Sequence, residues 1–306
     1  MIEKVEKIWL DGKFVAWEQA QVHVLSHALH YGSAAFEGIR CYKLQDGRSA
    51  VFRLAEHIER LFDSALIGDL AMRWTPAEVT DACLELVRVN RLDECYIRPI
   101  AFVGDGDMGV YVKDNPVRLA IAAWRWGAYL GDDGLRNGIR VHVSSYARPG
   151  INSVMSKAKM SGNYINSILA KREAIATGYH EAVMLDSQGY VAEASGENIF
   201  MVHRGQVHTP SLGCAVLSGI TRDTVLTLCE DLGLKVTERL ISRDELYIAD
   251  EVFFTGTAAE VTPIREIDNR KVGNGSRGPI TGRIQERFFQ VVRGSQKVHP
   301  EWLAIV

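Results

Sequence analysis

Apolar and polar positions alternate in short runs at the start of the chain and then give way to helical spacing. Lys7-Ile8-Trp9-Leu10 and Lys13-Phe14-Val15 flank Asp11-Gly12, a two-residue turn signal that joins antiparallel strands. Residues 40–42 and 50–52 read as two more strands around a turn at Gly47. Over residues 54–66 the period lengthens, and Ile58, Leu61, Phe62 and Ala65 fall on one helical face. Thr75 before Pro76 starts a second helix that runs to about Asn90. Residues 96–103 and 119–124 read as strands.

The periodicity then lapses. Residues 126–138, with Gly127, Gly131, Gly134 and Gly138, read as a linker. Beyond it the pattern predicts a strand at 140–144, a helix at about 163–177, and strands at 182–185 and 198–202. A helix at about 221–232 follows, then a strand at 251–254 leading into Thr255-Gly256-Thr257-Ala258-Ala259-Glu260. Strands cluster in both halves and helices do not strictly alternate with them, which predicts an α+β fold rather than a doubly wound sheet. The expected division is a small N-terminal α+β domain (1–125), an interdomain linker (126–138) and a larger C-terminal α+β domain (139–306).

Composition narrows the class without naming a chemistry. Of 306 residues 47% are hydrophobic and 24% charged, the balance of a soluble globular protein. A net charge of −3 gives no case for nucleic acid or an anionic membrane. Cys41, Cys83, Cys95, Cys214 and Cys229 are odd in number and far apart, which argues against a disulfide framework or a metal site and for a cytoplasmic setting. The N-terminal residues lack the apolar core of a signal peptide, and no apolar run is long enough to span a bilayer. Neither a Walker loop nor a GxGxxG between strand and helix is present.

Four short segments in the second half stand out. Ser156-Lys157-Ala158-Lys159-Met160-Ser161-Gly162-Asn163-Tyr164 sets two lysines among small residues before a helix. By itself it reads as a solvated loop as readily as a site, since lysine becomes a nucleophile only when its surroundings favour the neutral amine. Glu193 and Glu197 fall in a polar turn between apolar strands, as surface acids or as a partner for a protonated ring nitrogen. Leu217-Ser218-Gly219-Ile220-Thr221-Arg222 opens a helix and residues 255–259 end a strand. Both offer backbone N–H groups and threonine hydroxyls suited to a phosphate, although Ser-Gly before a helix is also ordinary capping.

Taken in order, these segments resemble the fold-type IV pyridoxal-phosphate enzymes, and among them the branched-chain amino acid aminotransferases. The likeness runs through His27-Ala28-Leu29-His30-Tyr31-Gly32, Phe36-Glu37-Gly38-Ile39-Arg40, Tyr96-Ile97-Arg98-Pro99 and Gly127-Ala128-Tyr129-Leu130. It continues through residues 159–164 and 193–200, Gly219-Ile220-Thr221-Arg222 and Gly256-Thr257-Ala258-Ala259-Glu260. The resemblance implies a two-domain fold like that of D-amino acid aminotransferase, with the active site at the domain interface and the cofactor lysine in the C-terminal domain.

It also implies roles. Lys159, ahead of Gly162-Asn163-Tyr164, would hold pyridoxal 5′-phosphate as a Schiff base, leaving Lys157 as a surface or supporting residue. Glu193 would pair with the pyridine nitrogen and Tyr164 lie near the phenolic oxygen. The phosphate would fall to Arg60, Ile220, Thr221 and Thr257, with Leu217, Gly219 and Gly256 around the cofactor. On periodicity alone Arg60, in His57-Ile58-Glu59-Arg60, is a solvated helix charge. Phe36, Trp126, Tyr129 and Tyr164 would form an apolar pocket, and Tyr96, Thr257 and Ala258 would receive the substrate α-carboxylate. Glutamate must enter the same site, and its second carboxylate needs a partner there. The resemblance gives that role to Arg98, with Tyr31 and Val110 reaching in from a neighbouring subunit.

The implied activity is ping-pong transamination between leucine, isoleucine or valine and 2-oxoglutarate, by a homo-oligomer of at least two chains with a hexamer among the options. Related enzymes of the fold act on D-amino acids or (R)-amines and share the lysine and the acid. Tyr31, residues 36–40, Tyr96 and Arg98 follow the branched-chain pattern. Arg125, between Trp124 and Trp126, departs from it by placing a charge where an apolar residue or proline is common. That leaves activity toward amines or aromatic amino acids open.

Overall fold

Asp11 and Gly12 take positive φ values of 51° and 95° and join β1 (Lys7–Leu10) to β2 (Lys13–Ala16), with Leu10 opposite Lys13. This is the hairpin that the sequence predicts. The computed structural model describes residues 2–127, 129–295 and 298–306. Ala128, in the expected linker and in one of the family-like segments, lies outside them. Internal contacts divide the chain into two units. The first is Met1–Trp126 with Ala158–Asn163 and Val291–Val306; the second is Gly127–Lys157 with Tyr164–Gln290.

After β2 the first unit continues with α1 (His27–Tyr31), β3 (Ala34–Phe36), β4 (Ile39–Lys43), β5 (Ser49–Phe52) and α2 (Leu54–Ile67). Next come α3 (Pro76–Val89), β6 (Cys95–Val103) and β7 (Val117–Trp124). Its strands pair antiparallel in the order C-terminal strand, β5, β4, β6, β7, β1, β2, with β3 also on β6. Thr75 caps α3 in a reciprocal box with Glu78. Ile58 and Leu61 of α2 and Val79 and Leu86 of α3 pack into one cluster with Ile97, Leu119 and Ile121 of the sheet. Each such fully buried Leu or Ile contributes roughly 1.5–3 kcal/mol.

Pro99 would ordinarily be excluded from a central strand because it cannot donate a ladder bond. It stands where β6 changes partner, from β4 at residues 95–97 to β3 at residues 100–102. Its carbonyl accepts the Glu37 N–H at 2.9 Å. That change of partner leaves Glu37 and Gly38 between two strands.

The second unit opens with α4 (Asp132–Asn137), inside the stretch expected to be the interdomain linker. The glycines there do not prevent a helix. A Cβ on Gly134 would come within 2.9 Å of Ile139 Cγ2, so Gly134 permits a close approach. The Leu135 carbonyl accepts from Gln285 at 2.9 Å. There follow β8 (Ile139–Val143), α5 (Tyr164–Ala176), β9 (Glu181–Leu185), β10 (Val191–Ala194), β11 (Asn198–His203), β12 (Gln206–Pro210) and α6 (Ile220–Asp231). The unit closes with β13 (Val236–Arg239), α7 (Arg243–Tyr247), β14 (Glu251–Gly256), β15 (Glu260–Ile267) and β16 (Arg270–Lys271). Its sheet runs β10-β9-β8-β15-β14-β11-β12-β13 with β16 on β15. Pairing is parallel at β8–β9, β8–β15 and β12–β13 and otherwise antiparallel. Helix α8 (Pro279–Val292) buries Ile284, Phe288 and Val291, and β17 (Leu303–Ile305) is the C-terminal strand, paired with β5. The fold is α+β, as expected.

Candidate active site

Lys159 is fixed through its backbone. Its N–H donates to Ser64 Oγ at 2.9 Å and its carbonyl accepts from the Phe36 N–H at 3.0 Å. Met160 bridges to Ala35, and Gly162 N–H donates to the Gly32 carbonyl at 3.1 Å. Gly32 has φ 69°, and a Cβ on it would lie 2.7 Å from Gly162 Cα. Glycine is thus needed at position 32, where these segments touch. These bonds explain why Ala158–Asn163 groups with the first unit. The Lys159 Nζ lies 5.2 Å from the centroid of the Phe36 ring.

Next in the chain after Phe36 stands Glu37, fully buried. Arg60 grips it from Nε (2.6 Å) and a terminal nitrogen (2.9 Å), and His57 Nδ1 lies 2.7 Å away. Burial works against the Glu37 charge, but the Arg60 guanidinium and the His57 contact outweigh it and hold the carboxyl well below the usual range. Burial, the largest influence on His57, lowers its pKa, against the pull of the Glu37 charge.

Arg98, on β6, sits among aromatic rings. Its guanidinium carbon is 4.8 Å from the Phe36 centroid, 5.3 Å from Tyr96 and 5.8 Å from Trp124. One terminal nitrogen donates to the Tyr96 hydroxyl at 3.4 Å, while buried Nε has no hydrogen-bond partner among the described residues. Trp126 meets Tyr96 edge-on at 4.7 Å. A Cβ on Gly38 would overlap the Tyr96 hydroxyl at 1.7 Å, so glycine is required for this tyrosine to lie where it does. Arg125 lies 3.9 Å from Glu3 with its side chain 51% exposed.

Tyr31 and Val110 are exposed, Val110 by 90%. Both connect to His27. The Tyr31 ring stacks on it at 4.4 Å, and its Nε2 donates to the Gly109 carbonyl at 2.7 Å, beside Val110.

In the second unit Glu193 lies at an irregularity of β10 and is buried. Its Oε1 meets Arg148 at 2.7 Å; its Oε2 accepts from Asn198 Nδ2 at 3.0 Å and from the Leu217 N–H at 3.1 Å. Asn198 also donates to the Leu217 carbonyl at 3.0 Å. A Cβ on Gly219 would fall 1.9 Å from Asn198 Oδ1, so glycine is required at the entry to α6. No N-cap side chain serves that helix start, and Thr221 in its first turn is buried. The N–H groups and positive dipole end of such a start suit an anion.

Four residues past Glu193, Glu197 is buried against Gly256, whose Cβ would lie 3.3 Å from Glu197 Cγ. Burial, then the nearby Glu181, push the Glu197 carboxyl up to about 8. Glu181 is held by Lys171 at 2.5 Å and Ser195 Oγ at 2.7 Å, and the Lys171 Nζ lies 5.2 Å from the Tyr129 centroid. Thr257 and Ala258 follow β14, and Tyr164 opens α5.

The model of amino-transferase class IV matches residues 34–267. The chain belongs to the class IV aminotransferases. A branched-chain-amino-acid aminotransferase of Pseudomonas aeruginosa is 50% identical over 306 residues, covering 100% of this chain and 99% of that protein. The crystal structure of the Escherichia coli branched-chain amino acid aminotransferase has a TM-score of 0.96 at 46% identity, covering 98% and 99%. A T.th. branched-chain amino acid aminotransferase complexed with N-(5′-phosphopyridoxyl)-L-glutamate has a TM-score of 0.94 at 46% identity, covering 98% of each chain.

Within this class IV aminotransferase, Phe36, Tyr96, Arg98 and Trp126 come together, with Lys159 against Phe36. Glu193, Leu217 and Gly219 gather through Asn198 at the start of α6, where Ile220 and Thr221 follow. Arg60 commits two nitrogens to Glu37. Sequence reasoning gives no role to Glu37, His57, Arg148 or Asn198. Glu37 is visible within a family-like motif, and a lone acid beside a Gly is the available signal. Arg148 carries none, because its partner Glu193 is 45 positions away. Among the described residues no three His, Cys, Asp or Glu side chains gather as a metal site, and no helix is long and apolar enough to cross a membrane.

Proposed function

We propose that this chain moves the amino group between leucine, isoleucine or valine and 2-oxoglutarate in a ping-pong sequence, with pyridoxal 5′-phosphate held covalently by the Lys159 Nζ. The observation that carries the reading is the Glu193 carboxylate. Arg148 and Asn198 fix it, and the Leu217 N–H ties it to the segment that opens α6. An acid for a ring nitrogen next to a helix start for a phosphate is the donor set this cofactor requires, so the residues fit it. The ligand of the T.th. enzyme, which joins the cofactor skeleton to glutamate, supports the same reading.

When bound, the cofactor supplies an electron sink that makes the substrate α-proton labile. Lys159 Nζ, which would hold the cofactor, would also be the base that takes the α-proton from the substrate and gives it back. Glu193 would accept a hydrogen bond from the ring nitrogen, and Tyr164 would lie near the phenolic oxygen. Arg60, the Ile220 N–H, Thr221 and Thr257 would hold the phosphate, with Leu217, Gly219 and Gly256 around the cofactor. Tyr96, Thr257 and Ala258 receive the α-carboxylate, and Phe36, Trp126, Tyr129 and Tyr164 enclose the apolar side chain. Arg98, with an unpartnered buried Nε, takes the second carboxylate of glutamate or 2-oxoglutarate.

Exposed Tyr31 and Val110, near exposed Leu29 and Tyr111, support a site completed by a second copy of the chain, hence at least a homodimer. Five buried free cysteines support a reducing, cytoplasmic setting. The test is a coupled assay with leucine, isoleucine and valine against 2-oxoglutarate. No turnover with any of the three, alongside good activity on D-alanine or an (R)-amine, would sink the reading. Arg98→Ala should lower kcat/KM for 2-oxoglutarate by about 100-fold and for leucine by only a few-fold. Equal losses would remove the dual role of Arg98.

A further inference from the structure

Lys157 is the second lysine of the cofactor-lysine segment. Its ammonium donates to two carbonyls of one loop, Leu212 at 2.7 Å and Val216 at 2.8 Å. Between those carbonyls lies Ala215, buried and at φ 57°, a left-handed conformation that a residue with a Cβ keeps only where its surroundings enforce it. On either side of it Cys214 and Val216 pack on Ala192, the neighbour of Glu193. The next residue after Val216 is Leu217, whose N–H bonds Glu193 and whose carbonyl bonds Asn198. Two residues later the chain reaches Gly219 and enters α6.

An ammonium is suited to this position because it offers several donors and no acceptor, and charged donors make the stronger bonds to carbonyls. We propose that Lys157 is a positioning residue that clamps the Leu212–Leu217 backbone and thereby sets both the Glu193 carboxylate and the start of α6 for the cofactor. The inference rests on the cofactor reading given above. Lys157 touches neither the cofactor nor the substrate in this scheme; it acts through Leu217. Burial lowers the Lys157 pKa and the Glu193 charge opposes that shift, so the two groups also feel each other electrostatically.

The test compares wild type with Lys157→Met, which keeps length and removes the donors, and Lys157→Arg, which keeps a cationic donor. Pyridoxal 5′-phosphate affinity is read by equilibrium dialysis of the apo protein, and amide hydrogen exchange by mass spectrometry across residues 211–222. Lys157→Met should weaken the cofactor by about 10-fold or more, the worth of one charge-assisted hydrogen bond, and speed exchange in this segment. Lys157→Arg should recover most of both. Wild-type affinity and exchange in Lys157→Met would overturn the proposal, as would Lys157→Arg failing as badly as Lys157→Met. A wild-type protein that takes up no pyridoxal 5′-phosphate would overturn the cofactor reading itself, and the inference with it.

Discussion

Glu37 in the first unit and Glu197 in the second are both buried, at 0% and 5% exposure. Burial presses each toward the neutral acid, yet they end in opposite states. Arg60 and His57 close on Glu37 and keep it charged. Glu197 shares its surroundings with Glu181 and Glu193, and the cation at hand, Lys171, is already bonded to Glu181. Burial sets the cost of a charge; the neighbours decide whether the charge survives.

The largest effect is expected at Glu37. Glu37→Gln leaves Arg60 without its buried counter-charge and should cost about 3–5 kcal/mol of stability, measured by urea unfolding at neutral pH. A loss below about 1 kcal/mol would mean that Arg60 finds another partner. Lys171→Met comes next, since Lys171 is part-exposed. It leaves Glu181 without its ammonium and should cost roughly 1–3 kcal/mol by the same measurement. Glu197→Gln should be smallest, within about 1 kcal/mol near pH 6, because a neutral amide there replaces a neutral acid.

The pH dependence separates the two acids by sign. The Glu37 pKa is lowered on folding, so its stabilisation is present above its ordinary value of 4.5 and is lost as pH falls below it. The Glu197 pKa is raised from 4.5 to about 8, so across that window the folded state holds a proton that the unfolded state has released. Stability should therefore fall as pH rises through it, by at most about 1.4 kcal/mol per pH unit. Urea unfolding of Glu197→Gln from pH 5 to 8 should show a flatter slope than wild type. Parallel curves would place the Glu197 proton elsewhere.

Much of the local structure is legible because it depends on near neighbours. The Asp11-Gly12 hairpin and the amphipathic face of α2 each write their signal within a few residues, as does the Thr75-Pro76 start of α3. Helix α8 carries a readable apolar spacing through Ile284, Phe288 and Val291, although the expected elements stop short of it. Helix α4 is hidden by glycines that serve close packing rather than a break. Other features rest on pairings that no local pattern encodes. Strand β17 joins β5 across some 250 positions, and Arg148 meets Glu193 only because β10 folds back toward the segment that follows β8. The motif residues of the site, Glu37 and Asn198 among them, are visible as a family likeness; that Glu37 and Asn198 hold other groups, and that His57 and Arg148 belong with them, is not.

The pairing of β17 with β5 also bears on how the protein is made. The first unit is mostly encoded by the opening residues, yet its sheet lacks an edge strand until Leu303–Ile305 has been synthesised. At about 5–20 residues per second, translation of the intervening chain takes on the order of ten to tens of seconds. During that interval β5 presents an unpaired edge beside a nearly finished core. Nascent chains should therefore be most open to chaperone capture or strand exchange late in translation, and substitutions in the last few residues should lower the yield of folded protein more than their small buried area suggests.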